Sequence, residues 1–292
     1  MNETMTRALL YGGAVLMLGG LGAATHFVRS DADVMTLLSS VDVQLRLAYA
    51  IPANDKQGKA LSSRGDMIAD AERNLQLVDK QQPGMAMSAE FRGFAQMLRG
   101  DFVAAAASYE RARGCSDCQD EQRDVLAFNQ ARMLAQGGRP EQALAVFAQH
   151  AVALDARYGH QRRIEEANLC VQLGRAAAAT QRLDLVVADP QTSPFLLLQA
   201  GLGYMTAGDR AKAETALQRA AMVEPIADYH LGRLKSEQGL AEDALVLLER
   251  AAAARPAEVR QLLAKEAAAW SVVAATERFR SVQRPSLAAP VR

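Results

Sequence analysis

Aromatic side chains are scarce in this chain, only 5% of 292 residues with a single tryptophan, although half of the chain is hydrophobic. Extended alternating runs of Val, Ile and Thr are missing as well. These absences exclude a β-sandwich or barrel and leave a core made largely of alanine and leucine, the strongest helix formers. An excess of one charge is also lacking: 33 Lys and Arg balance 33 Asp and Glu. Without a basic stripe to meet a phosphate backbone, nucleic acid is not an expected partner. Arg162-Arg163 is answered at once by Glu165-Glu166, which reads as a salt-bridged helix face.

Catalytic signals are equally thin. The four histidines, His26, His150, His160 and His230, fall in no arrangement with a nucleophile and an orienting acid. Glycine-rich phosphate loops are absent, and acidic pairs such as Asp120-Glu121 read as helix starts favoured by the macrodipole. The expectation is a protein that is not an enzyme and needs no cofactor or metal. Cysteine is limited to Cys115, Cys118 and Cys170. A zinc site at Cys115-Ser-Asp-Cys118 would need two more ligands, and only His150 and His160 offer themselves. A thioredoxin-like pair expects a βαβ setting that a helical chain lacks. A local disulfide between Cys115 and Cys118, formed in an oxidising compartment, is the favoured reading, with two free thiols as the alternative. Cys170 reads as a small core residue, and His150 as a polar residue admitted into a tight contact.

What the chain does have is a rhythm. Gly100/Ala105, Gly138/Ala143, Gly174/Ala179, Gly208/Ala213 and Gly239/Ala244 recur with glycine-to-glycine steps of 38, 36, 34 and 31 residues. Seven residues before each glycine stands a small residue: Gly93, Ala131, Ala167, Gly201, Gly232. Nine residues after it stands a large one: Tyr109, Phe147, Leu183, Leu217, Leu248. Small residues let two antiparallel helices approach, and the large residue fills the space between neighbouring hairpins. The central glycine supplies a left-handed turn between the two helices. Pro190, Pro225 and Pro256 close three units, since proline cannot continue a helix. Gly19/Ala24 and Gly84/Ala89 share the bare spacing without the surrounding register and are set aside as chance. The 38-residue step holds an enlarged turn containing Cys115 and Cys118.

This register resembles the tetratricopeptide repeat, a helix–turn–helix of about 34 residues. It is clearest from Pro194 to Pro225, with Leu197, Ala200, Gly201, Tyr204, Gly208, Ala213, Leu217 and Ala220 in place. The resemblance implies an all-α, right-handed superhelical solenoid of about five hairpins over residues 86–256. Residues 30–85 read as a degenerate hairpin capping the array, because terminal repeats commonly depart from the pattern. Beyond Pro256, residues 257–281 read as one long capping helix with Val259, Leu262, Leu263, Ala267, Trp270, Val273 and Ala274 on one face. Trp270 is taken there as a packing anchor. Residues 282–292 read as a loose tail.

Ahead of the helices, Ala8–Val28 is a 21-residue run without formal charge. At about 1.5 Å per residue it reaches roughly 31 Å, the thickness of a hydrocarbon core. Residues 1–29 therefore read as an uncleaved transmembrane signal anchor, with Gly22-Ala23-Ala24 keeping a cleaved signal peptide open. The pairs Ala8/Gly12, Gly19/Ala23 and Gly20/Ala24 leave self-association through the anchor open. Flanking basic residues are nearly balanced. A short amino-terminal tail left in the cytoplasm favours a single-pass protein of a bacterial inner membrane with a periplasmic domain.

In the family, first helices line a concave face with the second, fifth, ninth and twelfth positions of each unit. Carried onto this sequence, the resemblance implies a partner groove of Phe94, Met97, Phe128, Arg132, Ile164, Asn168, Leu198, Leu202, Met205, Tyr229 and Arg233. The expected function is a membrane-anchored scaffold holding a protein or peptide, with envelope assembly, secretion or chaperoning as its setting. Two other readings stay open: an enzyme-associated redox or metal module on Cys115 and Cys118, and a solenoid binding cell wall or carbohydrate.

Overall fold

The computed structural model describes residues 33–51 and 63–284. The expected anchor at 8–28, with its small-residue pairs, and most of the tail lie outside the described residues. Among the described residues no helix is long and apolar enough to cross a membrane. These residues form fourteen α-helices and one short 3-10 turn, with no strand.

The first compact unit, up to His150, holds three hairpins. They are α1 (Val34–Ala50) with α2 (Arg64–Gln81), α3 (Ala86–Arg99) with α4 (Phe102–Gly114), and α5 (Asp120–Gln136) with α6 (Pro140–Gln149). Local chemistry sets the helix starts. The Asp33 carboxylate accepts the Met35 N–H at 2.6 Å, and Ser63 and Asp66 form a reciprocal capping box on α2. Leu38, Val41 and Leu45 of α1 meet Ile68, Leu75 and Val78 of α2 in one core, which α3 joins through Ala95 and Leu98.

The second unit, from Ala151, holds α7 (Ala151–Gln172) with α8 (Ala176–Val187), α9 (Pro194–Ala207) with α10 (Arg210–Ala221), and α11 (Ile226–Glu237) with α12 (Ala241–Ala254). Tyr158, with φ −127° and ψ 18°, breaks the regular path of α7, so Ala151–Arg157 is an extra turn ahead of the hairpin helix. Such an insertion is consistent with the 36-residue step.

The repeating glycines work as the register requires. Gly208 ends α9 with φ +86°, and Asp209 at once caps α10 by accepting the Lys212 N–H at 3.2 Å. Gly100 (φ +80°) and Asp101 repeat the arrangement between α3 and α4. Gly84, set aside in the sequence as chance, is also left-handed at φ +82°. It turns the chain between hairpins, from α2 to α3, rather than within one. The small residues seven positions upstream mark helix crossings. A Cβ on Gly201 would lie 2.6 Å from Leu217 Cγ, and one on Gly93 would lie 3.0 Å from the Tyr109 ring.

Two expectations need correction. Residues 257–281 are not one helix. After α13 (Pro256–Lys265) come a 3-10 turn (Ala267–Trp270), a bend and α14 (Glu277–Gln283). The Glu266 carboxylate accepts from the Tyr229 hydroxyl at 3.1 Å and from Arg233 Nη1 at 2.8 Å. Trp270 sinks out of reach of solvent, its Nε1–H donating to Tyr229 Oη at 3.2 Å. A straight helix would not bring both groups onto α11, and Thr276 restarts the helix by capping Phe279 N–H at 3.2 Å. Trp270 is thus a packing anchor, with Tyr229 and Phe279 ring centroids 5.3 and 6.1 Å away. Because α14 extends to Gln283, residues 282 and 283 of the expected loose tail are helical.

Arg162 and Glu166 are a buried pair. They pair as the spacing suggests, but inside the unit: Arg162 is 8% exposed and also bonds Asp155 at 2.6 Å, while Glu166 accepts from Arg182 Nε at 3.0 Å. Arg163 turns to Asp155.

Candidate partner-binding faces

Within each unit the first helices of adjacent hairpins touch one another, α1 with α3 and α7 with α9. Their outward stripes are where the register places a binding face. In the first unit α3 contributes Met87, Phe94 and Met97. Phe94 and Met97 rest half-buried on the core, and Tyr49 of α1 leans on Phe94 with centroids 6.1 Å apart. Phe128 is buried against Phe147 at 5.7 Å and belongs to the core rather than to a face. Arg132 is half-buried on α5. Its charge opposes that of Glu90 at Tyr109, whose hydroxyl is pushed up to about 12, chiefly by burial.

In the second unit α9 presents the most apolar stripe. Phe195 is 55% exposed near the start of α9, and Leu202 and Met205 lie half-buried further along it on the core formed with α10 and α11. Leu198 is 7% exposed and Ile164 3%, so both serve the core, whereas Asn168 of α7 is exposed. Phe195 escaped the sequence selection although the rule needed to find it was in hand. It holds the second position of its unit, as Met87 does in the first recognisable repeat.

Tyr229 and Arg233, assigned to the groove by register, are occupied by the chain itself. Tyr229 is fully buried beneath Trp270, its hydroxyl pushed up to about 12 by burial, and Arg233 holds Glu266. Arg233 Nη2 also reaches Met205 Sδ at 3.6 Å. The carboxy-terminal segment therefore closes the α11 end of this face. The reason is chemical: a buried tyrosine hydroxyl and a half-buried guanidinium need an acceptor, and Glu266 serves both.

Among the described residues the cysteines and histidines form no catalytic group. Cys115, Cys118 and Cys170 are all free thiols in this structure. Cys115 Sγ–H donates to the Arg111 carbonyl at 3.3 Å and Cys118 Sγ–H to that of Gln119 at 3.7 Å. Burial raises both thiols above the ordinary cysteine range, opposite to an activated nucleophile. Cys170 is buried in α7. His150 pairs with Arg113, and His160 with Asp189 at 2.9 Å, so neither is turned to the cysteines.

No family model and no curated protein sequence matches the chain. Solved structures do match its fold. The chain is similar to PilW, described as a widely conserved type IV pilus biogenesis factor, at TM-score 0.52 and 14% identity, covering 84% of this chain and 98% of that one. It is similar to a tetratricopeptide repeat protein from Parabacteroides merdae at TM-score 0.50 and 15% identity, again covering 84% and 98%. The fold is that of a tetratricopeptide-type helical-repeat protein.

Proposed function

We propose that the chain is a non-enzymatic scaffold that docks a protein segment on the outward stripe of α9. The observation that carries this reading is Phe195. A phenylalanine left 55% exposed on the same helix as half-buried Leu202 and Met205, at a position that the repeat uses for partners, is an anchor without a cover. The fitting occupant is an amphipathic helix or extended segment carrying two or three apolar anchors. Residues 8–28 hold the domain at a bacterial inner membrane, with the repeats on the periplasmic side. Anchoring concentrates it near membrane-bound partners. The likeness to PilW supports an envelope-assembly setting by fold analogy alone. The raised thiols disfavour the redox module.

The test is quantitative affinity capture from solubilised membranes, comparing wild type with Phe195→Asp plus Leu202→Asp and with the outer-face control Gln218→Asp. Partners should fall about tenfold or more for the α9 variant and be unchanged for the control, since losing interface hot spots costs about 2 kcal/mol or more. Equal recovery from all three rejects the α9 face. Binding to purified wall material with no protein partner supports the carbohydrate reading instead.

A further inference from the structure

The 38-residue step contains a turn that docking leaves unused. We propose that Cys115 and Cys118 are an oxidisable pair, closing a disulfide across the α4–α5 turn that fixes Asp117 as the cap of α3.

Three observations converge on this turn. First, the Cys118 N–H donates to the Cys115 carbonyl at 3.2 Å, the closing bond of a four-residue turn. Such a turn holds its end Cα atoms within about 7 Å, and disulfides span about 4.4–6.8 Å. Second, the thiols are held by weak contacts, Cys115 Sγ–H on the Arg111 carbonyl and Cys118 Sγ–H on the Gln119 carbonyl with Arg123 beside it, so a rotamer change at each costs little. Third, Asp117 lies between the two cysteines and reaches back 31 residues to accept the Ala86 N–H at 3.0 and 3.2 Å. Met85 at the N-cap of α3 supplies no capping side chain, so Asp117 does that work from the enlarged turn. A cap supplied from so far along the chain depends on the turn keeping its shape, and a covalent tie across it removes the competing shapes.

The oxidant is a low-molecular-weight disulfide such as oxidised glutathione. The Cys115 thiolate, the less buried of the two, attacks one sulfur and expels one thiolate, leaving a mixed disulfide. The Cys118 thiolate then attacks Cys115 Sγ and expels the second. Two electrons pass to the oxidant, the two cysteine protons are released, and the two expelled thiolates are protonated according to pH. Burial keeps both thiols mostly protonated at neutral pH, so closure is slow and the finished bond is structural rather than catalytic.

The test equilibrates the full chain in detergent with oxidised glutathione, blocks remaining thiols in denaturant and measures intact mass and peptides. The expected result is a loss of about 2 Da, a Cys115–Cys118 linked peptide, and free thiols reduced from three to one, at Cys170. The oxidised form should melt about 2–6 °C higher than the reduced form, as a short loop closure implies. Amide exchange at Ala86 should slow on oxidation in wild type but not in Asp117→Ala, which still forms the bond. Three persistent thiols, a stable glutathione adduct, or pairing with Cys170 or a second molecule overturns the proposal. Closure of the bond with unchanged exchange at Ala86 overturns its link to α3.

Discussion

Gly201 and Gly208 are both glycines for reasons that differ and can be separated by mutation. Alanine at Gly201 would drive its Cβ into Leu217, whereas alanine at Gly208 meets nothing within 4 Å but must hold φ +86°. Each change should destabilise by about 1–3 kcal/mol, the first by overpacking and the second by backbone strain. Urea melts with Leu217→Ala added distinguish the causes. The pair with Gly201→Ala should cost well under the sum of the single changes, while the pair with Gly208→Ala should be additive. His230 supplies a pH test at the same scale. Burial, with Arg233 adding to it, lowers this imidazole from 6.5 to about 4. The folded state therefore favours the neutral ring, and a shift of this size is worth on the order of 3 kcal/mol. That contribution is complete above about pH 6.5, the unfolded value, and is lost as pH falls toward about 4. Relative to His230→Gln, wild type should lose stability across that window, as read from melting curves at each pH. Parallel curves would show that His230 does not titrate in this way. Glycines at helix turns were legible because their geometry admits few alternatives. Burial of Arg162 was not, because a charged pair at helical spacing looks the same in sequence whether it faces water or the interior.

Helix identity followed from the apolar spacing, but helix ends depended on distant partners. Residues 257–281 carry a continuous apolar stripe, and nothing local announces the break after Lys265. The break follows from Glu266 and Trp270 both reaching α11, more than thirty residues upstream. The same long reach hid the loss of Tyr229 and Arg233 from the groove. Trp270→Ala should therefore cost about 3–5 kcal/mol, the usual range for a buried tryptophan. It should also release α13 and α14, seen as faster amide exchange across residues 256–283. A loss below 1 kcal/mol with unchanged exchange would mean that the segment is held by other contacts, such as Arg278 with Glu249 at 2.7 Å. The α4–α5 turn gives the complementary lesson. Its extra length was visible in the spacing, yet its role as the cap of α3 required knowing where Asp117 reaches.

For the whole molecule, the repeat fold was open to sequence reading because a hairpin array must repeat its close contacts at fixed intervals. The solved structures that share this fold at 14% and 15% identity show how little else of the sequence the fold demands. For the same reason the fold leaves the partner open, and the binding reading rests on apolar side chains that reach the surface of α9, with Phe195 exposed and Leu202 and Met205 only partly covered by the core. The most direct measurement is site-specific photo-crosslinking in intact cells, with a photoreactive residue placed singly at Phe195, Leu202 or Gln218. Crosslinks from Phe195 and Leu202 to the same protein, with none from Gln218, are the predicted result. Equal adducts at all three positions, or adducts at Gln218 alone, would contradict docking on the α9 face.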